Sequence, residues 1–332
     1  MGIIKSIWRK AKNLNFALPV EWIAEAAGRK IRERPIREAP AAPEPGAKPQ
    51  TGWSDQAVAL YKAQDWQGML AHCLRWTQAE PDNSLAWFNL GVAYRELGRY
   101  QDAIAAFREV LRLKPDFATP WVYLGDAYEK LGRWGEASEA YREVVRRMPY
   151  YAECWTELGV VYRELGRPQE AIEAYREALR LKPDLDDPWY NLGLAYGSLG
   201  RYQEAIEAYR EALRRKPDDA DAWNNLGTAY RELGRHREGI AAFREALRLK
   251  PDDADPWYNL GLAYGSLGRP QEAIEACREA LRLKPDYTDA WYCLGGAYAI
   301  SGNRSAALEA VKELRRYDPQ KADELFNFIV KP

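Results

Sequence analysis

The chain has 332 residues, enough for two ordinary domains or one elongated array. Hydrophobic residues at 47% and charged residues at 29% fit a soluble protein, and a net charge of −1 argues against whole-chain affinity for nucleic acid. With only His72 and His236, most histidine-based catalytic and zinc arrangements are excluded, and no apolar run reaches the ~18 residues of a membrane span.

Cys73, Cys154, Cys277 and Cys293 show no ligand spacing and read as reduced thiols in a cytoplasmic-type compartment. The chain opens with MGIIKSIWRKAKNL. Ile3, Ile4, Ile7, Trp8, Ala11 and Leu14 fall at helical spacing, with Lys5, Arg9, Lys10 and Lys12 between them. This predicts a basic amphipathic arm, and Pro19 and Glu21 break its apolar stretch too early for a secretory signal. A second short helix is expected from Pro19 to Arg34, on Trp22, Ile23, Ala26, Ala27 and Ile31. Residues 1–34 are thus an arm, and 35–50, with five prolines, a semi-extended linker. Such an arm docks on a membrane surface, a partner or the protein's own groove. The start Met1-Gly2 with Ser6 also fits the short N-myristoylation pattern.

From residue 51 to 321 one period governs the chain. Trp53, Trp87, Trp121, Trp155, Trp189, Trp223, Trp257 and Trp291 stand 34 residues apart, and PWYNLGLAYGSLGR occurs at 188–201 and again at 256–269. Trp189, Leu192, Gly193 and Tyr196 make one apolar stripe of a first helix; Ala205, Tyr209 and Ala212 make the matching stripe of a second. Gly193 leaves room for a neighbouring helix. Gly200 suits a left-handed cap, and Pro217 stops the second helix. Asp187, Asp255 and Thr119, each before a proline, read as N-caps.

These letters resemble the tetratricopeptide repeat (TPR) family, W-x2-L-G-x2-Y…A-x3-F/Y-x2-A…P. The resemblance covers about residues 50–321 in eight units. The first departs, with Gln56 and Ala57 for Leu and Gly and Met69 for a small residue; Gly239 and Cys277 are milder departures. It implies an all-α fold, a right-handed TPR superhelical solenoid of eight helix-turn-helix repeats. Residues 322–332 then form a C-terminal capping helix on Leu325, Phe328 and Ile329.

The resemblance implies protein–protein interaction. The groove-facing residues lie one, two, five, eight and nine after each Trp. Two after it stand Asn89, Asn191, Asn225 and Asn259, amides able to donate to and accept from an extended peptide backbone. One after it stand Phe88, Tyr190, Tyr258 and Tyr292. Tyr190 with Leu194 and Gly197, and Tyr258 with Leu262 and Gly265, predict two hollows for apolar peptide anchors. Asp187, Asp221, Asp255 and Asp289 stand where a chaperone-tail clamp would place a Lys, so no carboxylate clamp is expected. GLAYGSLG follows no strand and lacks a phosphate-loop ending, and Arg95, Arg163 and Arg231 are each followed by Glu, leaving no basic track for RNA.

The expectation is a non-enzymatic scaffold or adaptor of the cytoplasm, without catalytic centre, cofactor or metal, holding a peptide and promoting complex assembly. A second reading is a peripheral membrane organiser anchored through residues 3–14. A third is the targeting subunit of an enzyme complex. Homo-oligomerisation stays open.

Overall fold

The computed structural model describes residues 52–185 and 187–330. The arm, with Ile3, Ile4, Ile7, Trp8, Arg9, Lys10 and Lys12, the helix expected at 19–34 and the linker lie outside the described residues. Among the described residues there are seventeen helices and no strand.

The chain divides at Asp184 into two compact units. The first holds α1 (Trp53–Lys62), α2 (Trp66–Ala79), α3 (Ser84–Glu96), α4 (Tyr100–Leu113), α5 (Thr119–Lys130), α6 (Trp134–Arg147), α7 (Ala152–Glu164) and α8 (Pro168–Leu181). The second holds α9 (Asp187–Ser198), α10 (Tyr202–Arg215), α11 (Ala220–Glu232), α12 (His236–Leu249), α13 (Ala254–Ser266), α14 (Pro270–Leu283), α15 (Thr288–Ile300), α16 (Arg304–Leu314) and α17 (Pro319–Val330). Within each unit every odd helix packs on the next even one, and each even helix on the odd helix that follows.

The turn between paired helices explains the letters LGR. Gly200 takes φ 69°, which lets the Arg201 amide reach the Tyr196 carbonyl at 2.9 Å and closes α9. Arg201 then lays its guanidinium 4.7 Å from the Tyr196 ring centre while Nε donates to Glu204 at 3.0 Å. The same Arg-on-Tyr contact recurs at Arg99, Arg133, Arg167, Arg235 and Arg269.

What approaches the repeat glycine is a ring. A Cβ on Gly193 would lie 2.5 Å from Tyr209, and the rings of Phe107, Tyr141, Tyr175 and Phe243 cover the equivalent glycines. The tryptophans, expected in the core stripe, are half-buried. Their indole N–H groups reach back six residues to a carbonyl: Trp87 to Pro81 at 2.7 Å, and Trp155, Trp223 and Trp291 to Pro149, Pro217 and Pro285 at 2.9 Å. Where proline precedes the Trp the bond weakens. Trp257 reaches Pro251 at 3.4 Å, and the Trp121 and Trp189 indole nitrogens have no partner. Arginines cover those two rings instead, Arg147 at 5.6 Å and Arg215 at 5.4 Å.

The N-caps differ from expectation. Asp253, not Asp255, caps α13, accepting from the Asp255 amide at 3.0 Å; Asp219 caps α11, and Thr119 is the first helical residue of α5. The cap must sit on extended backbone before the turn closes, and Asp253 has φ −92° and ψ 121°. Asp187 is already helical. Four of the acids two before a Trp pair instead with a lysine near the end of the same repeat. Asp187 meets Lys216 at 3.4 Å, Asp221 meets Lys250 at 2.9 Å, Asp289 meets Lys321 at 2.7 Å, and Glu153 pairs with Lys182. The exposed pairs add little to stability.

At the start of the array Ala57 and Met69 are fully buried. His72 Nε2 bonds the Trp53 carbonyl at 2.8 Å under the Trp53 ring, and burial lowers its pKa, so the imidazole is a neutral packing group. At the end Leu325 is fully buried over Gly295, and Ile329 packs beside it. Phe328, expected to cover the last repeat, is 52% exposed, because the stripe runs through Ala322, Leu325 and Ile329 and Phe328 falls off it.

Candidate functional site

The residues one and two after each Trp divide by unit. In the first unit Phe88 and Asn89, expected in the groove, are buried, 2% and 1% exposed. Phe88 has no polar end to leave in water and packs 5.8 Å from Phe107, 6.1 Å from Phe117 and 5.2 Å from Tyr123. Asn89 Nδ2 donates to the Leu85 carbonyl of its own helix at 2.9 Å, and its Oδ1 has no partner. Neither offers a side chain to a ligand.

The first helices of this unit carry charge instead. Arg95 lies 4.8 Å over the Tyr123 ring, pairs with Glu96 and sits 3.8 Å from Asp126. Beyond them is Glu129, hydrogen-bonded by the Tyr141 hydroxyl, with its Oε1 buried and unpartnered. Burial first, and the nearby Glu157 carboxylate second, push the Glu129 carboxyl up to about 7. Sequence reasoning did not single out Glu129. Its signal was present: eight after the Trp the chain has Arg95, Arg163 and Arg231, and Glu129 is the one acid at that place.

In the second unit the amides join successive repeats. Asn225 Nδ2 donates to the Tyr190 hydroxyl at 3.1 Å, and Asn259 Nδ2 donates to Asn224 Oδ1 at 3.1 Å, each across 35 residues. Asn191 Nδ2 donates to the Asp187 carbonyl at 3.1 Å. Tyr190 and Tyr258 are half-buried, beside Tyr209 at 6.0 Å and Tyr287 at 5.1 Å; burial, then the Asp289 charge, pushes the Tyr258 hydroxyl up to about 12. Leu194 and Leu262 are half-buried and Tyr292 is 36% exposed. A Cβ on Gly197 or Gly265 would meet nothing within 4 Å, so the space beside each Leu is open.

Surface cavities lie elsewhere. One of about 790 Å³ is lined by Trp121, Arg142, Arg146, Trp155, Tyr162 and Glu173 in the first unit; one of about 560 Å³ by Arg210, Trp223, Tyr230, Glu238 and Glu245 in the second. Each is lined by residues of two second helices and of first helices, and no residue expected in the groove lines either. In the second, Arg210 donates to the Tyr230 hydroxyl at 2.5 Å, a packing bond repeated by Arg108 to Tyr128 and Arg244 to Tyr264. Among the described residues no cluster of His, Cys, Asp or Glu could hold a metal ion, and no helix is long and apolar enough to cross a membrane.

A family model described as the C-terminal domain of cilia and flagella-associated protein 70, a TPR model, matches residues 47–260, and the tetratricopeptide repeat model matches 254–287. No curated protein sequence matches the chain. Among solved structures, the C-terminal part of a TPR repeat-containing protein from Cytophaga hutchinsonii is 17% identical, covers 74% of this chain and 100% of its own, and has a TM-score of 0.61. YrrB, described as a TPR protein with an unusual peptide-binding site, is 22% identical over 56% of this chain and 96% of its own, with a TM-score of 0.51. MamA is 29% identical over 51% of this chain and 92% of its own, with a TM-score of 0.49. The first two likenesses show the fold.

Proposed function

Because the chain belongs to the tetratricopeptide repeat family, matching its models over more than half of its length, we propose that it is a non-enzymatic scaffold holding a peptide segment of a partner protein. The fold class implies protein or peptide partners. The surface that would hold one is the row of first helices in the second unit. One observation carries this reading. Asn225 and Asn259 tie each first helix to the one before it, while Gly197 and Gly265 leave open space beside Leu194 and Leu262. The amides fix the spacing of the row. The two hollows, walled by Tyr190 and Tyr258, suit apolar side chains of a bound segment.

The test fills the hollows with a residue the fold already accepts there, since Arg95, Arg163 and Arg231 occupy the same place in sibling repeats. A partner is captured from soluble and membrane fractions with the wild-type chain, and its affinity is compared with that of Gly197→Arg and Gly265→Arg. A loss on the order of tenfold is expected; unchanged binding by both variants overturns the groove reading. Residues 3–14 support the second reading, a peripheral membrane organiser. Flotation with liposomes that is the same with and without those residues defeats it.

A further inference from the structure

Two departures from the repeat fall on the same spot. Sixteen residues after the repeat glycine, the second to sixth repeats place an aromatic ring: Phe107, Tyr141, Tyr175, Tyr209 and Phe243. The seventh places Cys277. Two after the Trp, where four repeats have Asn, the eighth places Cys293. These positions meet across a repeat boundary. Their equivalents in the second and third repeats, Phe107 and Tyr123, stack with ring centres 5.2 Å apart. In the seventh and eighth repeats the same meeting is made by two sulfurs. A Cβ on Gly261 would strike Cys277 Sγ and lie 3.2 Å from Cys293 Sγ, so the two sulfurs converge on one glycine.

We propose that Cys277 and Cys293 are a redox site, closing to a disulfide that ties α14 to α15 when a peroxide reaches the inner face of the last repeat. The roles follow from exposure. Cys277 is fully buried, whereas Cys293 is partly open on the face that carries Asn191, Asn225 and Asn259. Peroxide therefore meets Cys293. The Cys293 thiolate attacks one peroxide oxygen, the O–O bond breaks, and hydroxide leaves and becomes water with the proton the thiol gave up. The product is a sulfenic acid. Cys277 sulfur then attacks the sulfenic sulfur. The S–O bond breaks, the S–S bond forms, and the departing hydroxide takes the Cys277 proton as a second water. Two thiols and one hydrogen peroxide give one disulfide and two waters. The sulfurs lose two electrons and the peroxide gains them.

The neighbouring thiol and burial both hold the Cys277 proton, so Cys277 waits for a sulfenic partner instead of meeting oxidant itself. Cys73 and Cys154 are internal controls. Both are buried, and the place across from Cys73 that corresponds to Cys293 is Asn89, which has no sulfur to offer. The crosslink would hold the last repeat against local opening and remove a thiol from the inner face.

The test treats the folded full-length chain with a slight excess of hydrogen peroxide, alkylates the remaining thiols and maps the peptides by mass. The expected product is one crosslinked peptide pair containing Cys277 and Cys293, reversed by dithiothreitol, with Cys73 and Cys154 alkylated only after unfolding. Amide exchange in α15 should slow on the order of tenfold or more in the oxidised form. In Cys293→Ser the crosslink disappears; in Cys277→Ala, Cys293 accumulates as sulfenic or sulfinic acid. Cys293 over-oxidised in the wild type, a bond between two chains through Cys293, or both thiols alkylated after treatment would each overturn the proposal.

Discussion

Glu129 stands where three sibling repeats place arginine, and its surroundings oppose its charge. Burial and Glu157 raise its pKa to about 7, outweighing the lowering by the Tyr141 hydroxyl. Between the ordinary glutamate value and about 7, the folded protein keeps a proton that the unfolded chain releases. Stability therefore falls as pH rises through that window, and the full penalty is present above about 7. Glu129→Gln should stabilise the protein by about 1–3 kcal/mol at around pH 8 and converge with wild type near pH 4. Urea unfolding midpoints at the two pH values check this; a constant difference would place the effect in packing rather than charge. The same scale explains why Phe88 and Tyr190, one after their Trp in different repeats, part ways. A phenyl ring can be wholly buried, whereas Tyr190 needs its hydroxyl answered, and Asn225 answers it.

Within one helix, α9, two glycines four residues apart have different work. Gly193 lies under Tyr209, where a Cβ would come within 2.5 Å of the ring; Gly197 faces open space. Gly193→Ala should cost about 1–3 kcal/mol through the displaced ring. Gly197→Ala should be neutral or stabilise by up to about 1 kcal/mol, because alanine favours the helix and touches nothing. Thermal melts of the two variants decide it, and equal effects would show that both glycines serve helix geometry alone. The stripe that identifies Gly193 as a packing position is legible in the repeat. That Gly197 is open was legible only as a contrast with Arg95, Arg163 and Arg231, because an absent side chain says nothing about what fills its place.

Across the molecule, stability is built from neighbour-on-neighbour contacts, so an injury should stay where it is made. The last repeat tests this. α16 is shorter than its counterparts, and no ring of its own covers Gly295; Leu325 of α17 does, fully buried. Leu325→Ala should cost about 2–4 kcal/mol and loosen α15 to α17, while amide exchange in α3 to α6 stays unchanged. A uniform rise in exchange along the chain would contradict modular packing.

The sequence by itself determined the repeat, the helix pairing, the left-handed glycine turns and the family, because these depend on neighbours within one repeat unit and the same letters return every 34 residues. It placed the caps inside the helices, at Asp187, Asp255 and Thr119, since an Asp or Thr before a Pro looks like a cap until the backbone shows where the helix begins. Only the tertiary structure decided which polar groups face outward. It buried Asn89, joined Asn225 to Tyr190 and Asn259 to Asn224, pressed Glu129 towards Glu157, and brought Cys277 against Cys293. Those pairings cross from one repeat to the next, so their spacing belongs to the stacking of helices and not to the period within the chain.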